Sequence, residues 1–269
     1  KERYQIIKHQ REAAKLDEIT SIEKYTLQPN SMQVGFITNL KKILAAGEKR
    51  ALLISATGTG KTYASAFAMR ELGFRRVLFL VHRGQLARQT RKSYEKVFAN
   101  TVSMGLVGAG YHEYEADYVF ATVQTLNRDE HLLQYAKDAF DCIVLDEAHH
   151  VPADTYRKIM DHFTPKLWLG MTATPDKRDD NVEGRNVYEI FNYQIAYEIR
   201  LQQAMEENLL CPFHYFGITD LSMIGDEEAA RDFNMLTSDE RVRHIVNQAD
   251  YYGYSGDKVK GLIFCSNIK

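Results

Sequence analysis

The sequence predicts an α/β protein in which helices flank a parallel sheet. Short apolar runs alternate with helix-prone stretches between residues 51 and 174, enough for at least five strands. The connections are long enough for parallel pairing, and tandem crossovers of that kind are right-handed. One apolar run, Ala51-Leu52-Leu53-Ile54, leads straight into the Gly-rich loop Ser55-Ala56-Thr57-Gly58-Thr59-Gly60-Lys61-Thr62 and on to helix-prone Ala64–Arg70. Strand, Gly-rich loop, Lys-Thr and helix in that order are the context of a phosphate-binding P-loop.

Composition excludes several classes. The chain has 269 residues, 45% hydrophobic and 26% charged, as in an ordinary globular protein. Net charge is −2, so affinity for nucleic acid must come from a local basic face. Cys142, Cys211 and Cys265 lie far apart, without metal-ligand spacing, which suits reduced thiols in a cytoplasmic protein. No apolar run approaches the ~20 residues of a membrane span, so no membrane partner is expected. The chain opens on Lys1 and closes on Gly261–Lys269, which reads as a strand cut short; both ends are expected to continue in a longer protein.

Residues 1–25 are charged, with a broken apolar stripe, and read as a helical lead-in from an upstream domain. Pro29-Asn30-Ser31 stops that helix, and Met32–Ile37 starts another. Gln33 stands one helix ahead of the P-loop. Its amide can donate to and accept from an adenine edge, or simply face solvent. In the loop, glycines let backbone N–H groups turn toward phosphate oxygens, and the helix N-terminus adds a positive end. Thr57, Gly58, Thr59 and Gly60 would line the phosphates, Lys61 would reach the β- and γ-phosphates, and the Thr62 hydroxyl would hold Mg²⁺. The strict pattern has Gly at the first position, where this chain has Ser55.

Arg76–Val81 reads as the next strand. It delivers His82–Thr90 to a strand's carboxyl end, where open α/β sheets bind ligands. Arg83, Gln85 and Gln89 are donors suited to a nucleic-acid backbone, or to a solvated basic helix. Thr101–Val107 and Tyr118–Val123 read as further strands, the second ending in Thr122, Gln124 and Thr125, whose polar groups can meet phosphate oxygens. Asp141–Leu145 then delivers Asp146 and Glu147. Asp146 would hold Mg²⁺ through water, and Glu147 would act as general base on the attacking water. Two carboxylates ending an apolar strand call for a nearby cation, which the P-loop supplies. Leu167–Pro175 is one more strand, ending in Thr172 and Thr174. Their hydroxyls can bridge to His149. The alternation Phe191, Tyr193, Ile195, Tyr197, Ile199 reads as a packed strand or interface in preference to a base-stacking surface.

Together these segments resemble superfamily 2 helicases. Ser55–Thr62, Val81–Thr90, Ala121–Leu126, Asp146–His149 and Thr172–Pro175 stand in the order and spacing of motifs I, Ia, Ib, II and III, with motif II reading Asp-Glu-Ala-His. Pro29–Gln33 is similar to the upstream Gln motif, and Leu262–Asn267 to the opening strand of a second RecA-like domain. Gly-Met-Thr-Ala-Thr-Pro looks closer to DNA-acting relatives, such as restriction-enzyme motor subunits and repair translocases, than to RNA helicases, and Phe191–Phe213 is similar to the exit from the first domain in the restriction-subunit branch. The resemblance implies a RecA-like P-loop NTPase domain over residues 26–215, then a linker and the start of a second RecA-like domain over 216–269. It implies ATP and Mg²⁺ as ligands, nucleic acid (DNA before RNA) and the second domain of the same chain as partners, and Lys61, Asp146, Glu147 and His149 as the catalytic group. Motifs V and VI are missing from this chain. In the family the latter carries the arginine finger, so this piece should bind ATP better than it hydrolyses it.

Three other readings stay open: a small-molecule P-loop kinase, an ATP-gated nucleic-acid clamp or sensor, and an RNA helicase. The Asp-Glu-Ala-His and Thr-Ala-Thr segments disfavour the kinase. Intact Lys61, Asp146 and Glu147 disfavour the clamp.

Overall fold

A computed structural model describes residues 27–99, 101–151, 154–175, 186–213, 215–217 and 239–252. The expected lead-in helix, the acidic Asp226-Glu227-Glu228 and the strand at Leu262–Asn267 lie outside them. The chain divides into two units, Lys1–Cys211 and Pro212–Lys269.

The first unit opens with α1 (Ser31–Ala45). Asn30 caps it: its carboxamide oxygen accepts from Gln33 N–H at 2.9 Å, and Gln33 Oε1 accepts from Asn30 N–H at 3.0 Å. Each end of this reciprocal box satisfies an otherwise orphaned N–H. There follow β1 (Arg50–Ser55), α2 (Lys61–Leu72), β2 (Val77–Val81), α3 (Gly84–Phe98), β3 (Met104–Gly108), β4 (Tyr111–His112) and β5 (Tyr118–Thr122). Short helices α4 (Val123–Leu126) and α5 (Asp129–Leu132) lead to β6 (Cys142–Asp146), a 3₁₀ turn (Ala148–His150), α6 (Asp154–His162) and β7 (Leu167–Thr172). Then α7 (Val187–Ile190), β8 (Ile195–Ile199) and α8 (Leu201–Glu206) complete it. In the second unit the described helix is α9 (Asp239–Tyr252), within the stretch read from sequence as a linker and the start of a second domain.

Eight strands form one sheet in the order β4-β3-β5-β2-β6-β7-β1-β8. All neighbours are parallel except β3 and β4, which form a short antiparallel hairpin that the sequence did not announce. Beyond it Glu113 closes the β3 edge: its N–H donates to Leu106 O at 3.1 Å, and its carboxylate accepts from Leu106 N–H at 2.7 Å.

Strands β1, β2, β5, β6 and β7 are buried on both faces, which is why they read as continuous apolar runs. On one face Phe36, Phe67, Tyr94 and Phe98 cover Leu53, Phe79, Phe120 and Val144. On the other, Leu126, Tyr135, Tyr156 and Phe163 cover Leu52, Leu78, Val119 and Ile143. Each such side chain contributes roughly 1.5–3 kcal/mol.

Several strand boundaries differ from expectation, β7 ending at Thr172 among them. β3 begins only at Met104, and Val123 starts α4 because the Thr122 hydroxyl accepts from Thr125 N–H at 3.2 Å and so caps a helix there. The alternation expected from Phe191 to Ile199 also fails. Leu52 pairs with Ile195 but Leu53 pairs with Tyr197, so Ala196 is the extra residue of a bulge. The buried residues of β8 are Ala196 and Ile199, while Ile195 is 39% exposed and Tyr193, outside the strand, 66%.

Phe191 follows α7 instead, its ring lying on Gly170 of β7, where an added Cβ would come within 2.5 Å of it. Gly170→Ala is therefore expected to cost about 1–3 kcal/mol of stability by overpacking. Denaturant unfolding measures it, and an unchanged midpoint would show that the Phe191 ring yields freely.

Candidate active site

The carboxyl ends of β1, β6 and β7 stand side by side and present three polar segments. The first is the loop between β1 and α2. Gly60 precedes the helix at φ 94°, a left-handed conformation that favours glycine. Thr57 and Gly58 are exposed at the loop's outer side, and Thr59 is buried. The Ser55 hydroxyl, fully buried, is hydrogen-bonded to the Thr59 hydroxyl, which donates to Ala56 O at 2.7 Å. Ser55, the departure from the usual pattern, thus clasps the loop from beneath.

Lys61 Nζ turns back onto the loop, donating to Ser55 O at 2.9 Å and Ala56 O at 3.4 Å. Burial pushes its ammonium below the usual lysine range, while Glu147 and Asp146 oppose that shift. Gln33, 5% exposed, sends Nε2 to Gly60 O at 3.4 Å while Oε1 holds Asn30 N–H. Its amide is thus turned from solvent and ties α1 to the loop. Thr62 occupies the first turn of α2, partly exposed.

The second segment is the end of β6. Burial, then the neighbouring Glu147 charge, raises the Asp146 carboxyl to about 6, while its bond from Glu147 N–H and the Lys61 ammonium pull the other way. Glu147 sits at φ 52°, ψ 51°, left-handed for a non-glycine residue. Backbone strain of this kind costs on the order of 1–3 kcal/mol and must be held by its surroundings. The Glu147 carboxylate lies 3.4 Å from His149 Nδ1.

The third segment is the end of β7. His149 Nδ1 is 3.0 Å from Thr172 Oγ1, and both residues are buried. Thr174 joins differently: its backbone N–H donates to Thr172 Oγ1 at 3.1 Å, with its side chain outward. Two carboxylates, one poorly solvated, beside a phosphate-type loop are a donor set that a divalent cation fits.

The other predicted contacts lie farther along the same edge, beyond β6. Arg83, Gln85 and Gln89 are exposed at and after the start of α3, and Gln124 is exposed on α4. Thr122 and Thr125 are half-buried and bond each other at 2.9 Å, so both hydroxyls are partly engaged. Gly84, Arg88, Tyr111, Thr122 and Thr125 line a cleft of about 130 Å³. Arg88 and Tyr111 are additions: the β3–β4 hairpin that brings Tyr111 there has no clear signature in the sequence.

Residues 26–177, more than half of the chain, match the family described as "Type III restriction enzyme, res subunit". The chain belongs to that family. This res-subunit-family chain is 29% identical to the type I restriction enzyme EcoAI endonuclease subunit of Escherichia coli, over 89% of its own length and 33% of that subunit. It is 27% identical to the DNA 3'-5' translocase XPB2 of Sulfurisphaera tokodaii, over 58% of its length and 33% of the translocase. The structure of a nuclease-deletion mutant of the type ISP restriction-modification enzyme LlaGI, in complex with a DNA substrate mimic, superposes with a TM-score of 0.54. That match has 20% identity and covers 68% of this chain and 21% of the other. The res-subunit-family domain is superfamily 2 helicase-like and its fold RecA-like. The chain spans about a third of the length of these two curated relatives. Among the described residues no helix is long and apolar enough to cross a membrane.

Proposed function

We propose that this chain is the nucleotide-binding half of an ATP-driven motor that translocates on or unwinds DNA. The observation that carries the reading is the meeting, at one sheet edge, of the Lys61 loop, the Asp146–Glu147 pair and the His149–Thr172 bond. The Lys61 ammonium and the loop N–H groups would hold the triphosphate, and Thr62 and Asp146 a Mg²⁺ ion. That ion would neutralise phosphate charge. Glu147 would take the proton of the attacking water, and His149–Thr172 would tie its position to β7. Gln33, already bonded to Gly60, would present its remaining amide hydrogen-bonding capacity to the base. Residues 216–269 would be a linker and the start of a second RecA-like domain, and nucleic acid would lie across α3 and α4. Restriction-type and translocase relatives favour DNA over RNA.

Arg83, Gln85, Gln89, Gln124 and the two threonines supply donors without a base-reading geometry. Binding should thus follow the backbone, ignore sequence and weaken steeply with salt. ATPase assays on the full-length protein with single-stranded DNA, duplex DNA and RNA test the reading. Stimulation by DNA supports it, stimulation by RNA alone reassigns the substrate, and no stimulation by any of the three refutes it. Arg83→Ala should lower DNA-stimulated turnover about tenfold at subsaturating DNA and leave unstimulated turnover nearly intact. Equal loss of both would put Arg83 in the nucleotide site or the core.

A further inference from the structure

Between the carboxylates and the α3 start runs a chain of imidazoles, of which the reading above uses only His149. His82 directly follows β2 and immediately precedes Arg83. Its Nε2 is 2.9 Å from the hydroxyl of Tyr156, a fully buried residue of α6. Its ring meets His150 edge-on, with centroids 4.3 Å apart at 79°. The His150 ring packs on His149 at 4.1 Å, and His149 faces Glu147 and Thr172. His150 N–H also donates to Glu147 O at 3.0 Å, closing a single 3₁₀ turn.

We propose that His82 and His150 are positioning residues that couple nucleic-acid contact at Arg83 to the placement of Glu147. The inference rests on the motor reading. A shift of the β2–α3 junction moves His82, and Tyr156 prevents its ring from simply swinging aside. The displacement then falls on His150. Because His150 shares one tight turn with Glu147 and His149, it cannot move alone. A close-packed interior passes such a shift on as a change of arrangement and not as a soft deformation. The contact is one of packing, and burial, then His150, hold the His82 imidazole below its usual range against the pull of Glu147.

Coupling between two ligands is reciprocal, and that makes the pair testable apart from either site. In the full-length protein, the affinity for fluorescent oligo-dT is measured with and without Mg-AMPPNP, and that for Mg-AMPPNP with and without oligo-dT. The wild type should show one coupling factor of about tenfold in both directions. In His150→Ala and in His82→Ala that factor should fall to about one, while each ligand alone binds within about twofold of wild type. The double variant should lose no more than either single one, because both break the same contact. His150→Phe, which keeps a ring, should retain most of the coupling and guards against a variant that misfolds. Preserved coupling in His150→Ala, or a loss that is uniform across all four affinities, overturns the inference and leaves the motor reading standing. A wild type that couples on neither oligo-dT nor oligo-U RNA overturns the motor reading and the inference with it.

Discussion

With Lys61 replaced by Ala, Mg-ATP should no longer raise the melting temperature of the protein. In the structure the ammonium is held by two loop carbonyls, Ser55 O and Ala56 O, within the field of Asp146 and Glu147. Those are weak anchors compared with a triphosphate. A charge-assisted bond to phosphate contributes about 1.5–3 kcal/mol, so its loss weakens binding by about 10- to 100-fold. A ligand present at 100 times its Kd stabilises by about 2.7 kcal/mol, which is about 5–10 °C for a domain of this size. After a 100-fold loss the same concentration leaves about 0.4 kcal/mol, or about 1 °C. Thermal melts of wild type and variant at one Mg-ATP concentration decide it; equal shifts would remove Lys61 from the site.

Glu147→Gln should bind ATP as the wild type does and lose turnover by about 10²- to 10⁴-fold, the range for a general base. Gln is isosteric and can still accept from His149, so the left-handed turn at Glu147 should survive. Full-length protein under DNA-stimulated conditions is the material, and near-normal turnover would take the base role from Glu147. A pH profile adds an independent check. Asp146 stands raised to about 6, by burial first and the Glu147 charge second. Mg-nucleotide affinity should therefore fall as pH drops below about 6, where the carboxyl gains its proton. Removing the Glu147 charge takes away one of the raising causes. In Glu147→Gln that fall should shift to lower pH.

The elements that carry local signatures were legible in the sequence. The P-loop shows in its glycines, the buried strands in unbroken apolar runs, and α1 in the Pro29-Asn30-Ser31 break ahead of Met32–Ile37. What the sequence hid depends on which strands become neighbours. His82 and His150 meet only because β2 and β6 are adjacent, and nothing along the chain states that order. The Ala196 bulge is likewise a property of the β1–β8 pairing, and it overrides an alternation that looked regular. Ser55 read as a departure from a pattern; its use is visible only with the Thr59 hydroxyl against it. Gln33 shows the opposite case. Both its ends are already bonded, to Asn30 and to Gly60, so its amide reports on the loop whatever else it contacts.

Glu113 bears on the far side of the sheet. A row of unpaired backbone groups along a border strand is a template on which a second chain can add its own strand, the first step of aggregation. Here the Glu113 backbone and carboxylate both fall on Leu106, and Arg91 holds that carboxylate at 3.3 Å. A foreign strand approaching there meets a charge and a ladder already filled at that position. The two-residue β4 is too short to offer a long ladder of its own. The sheet thus brings its own growth to an end at this border.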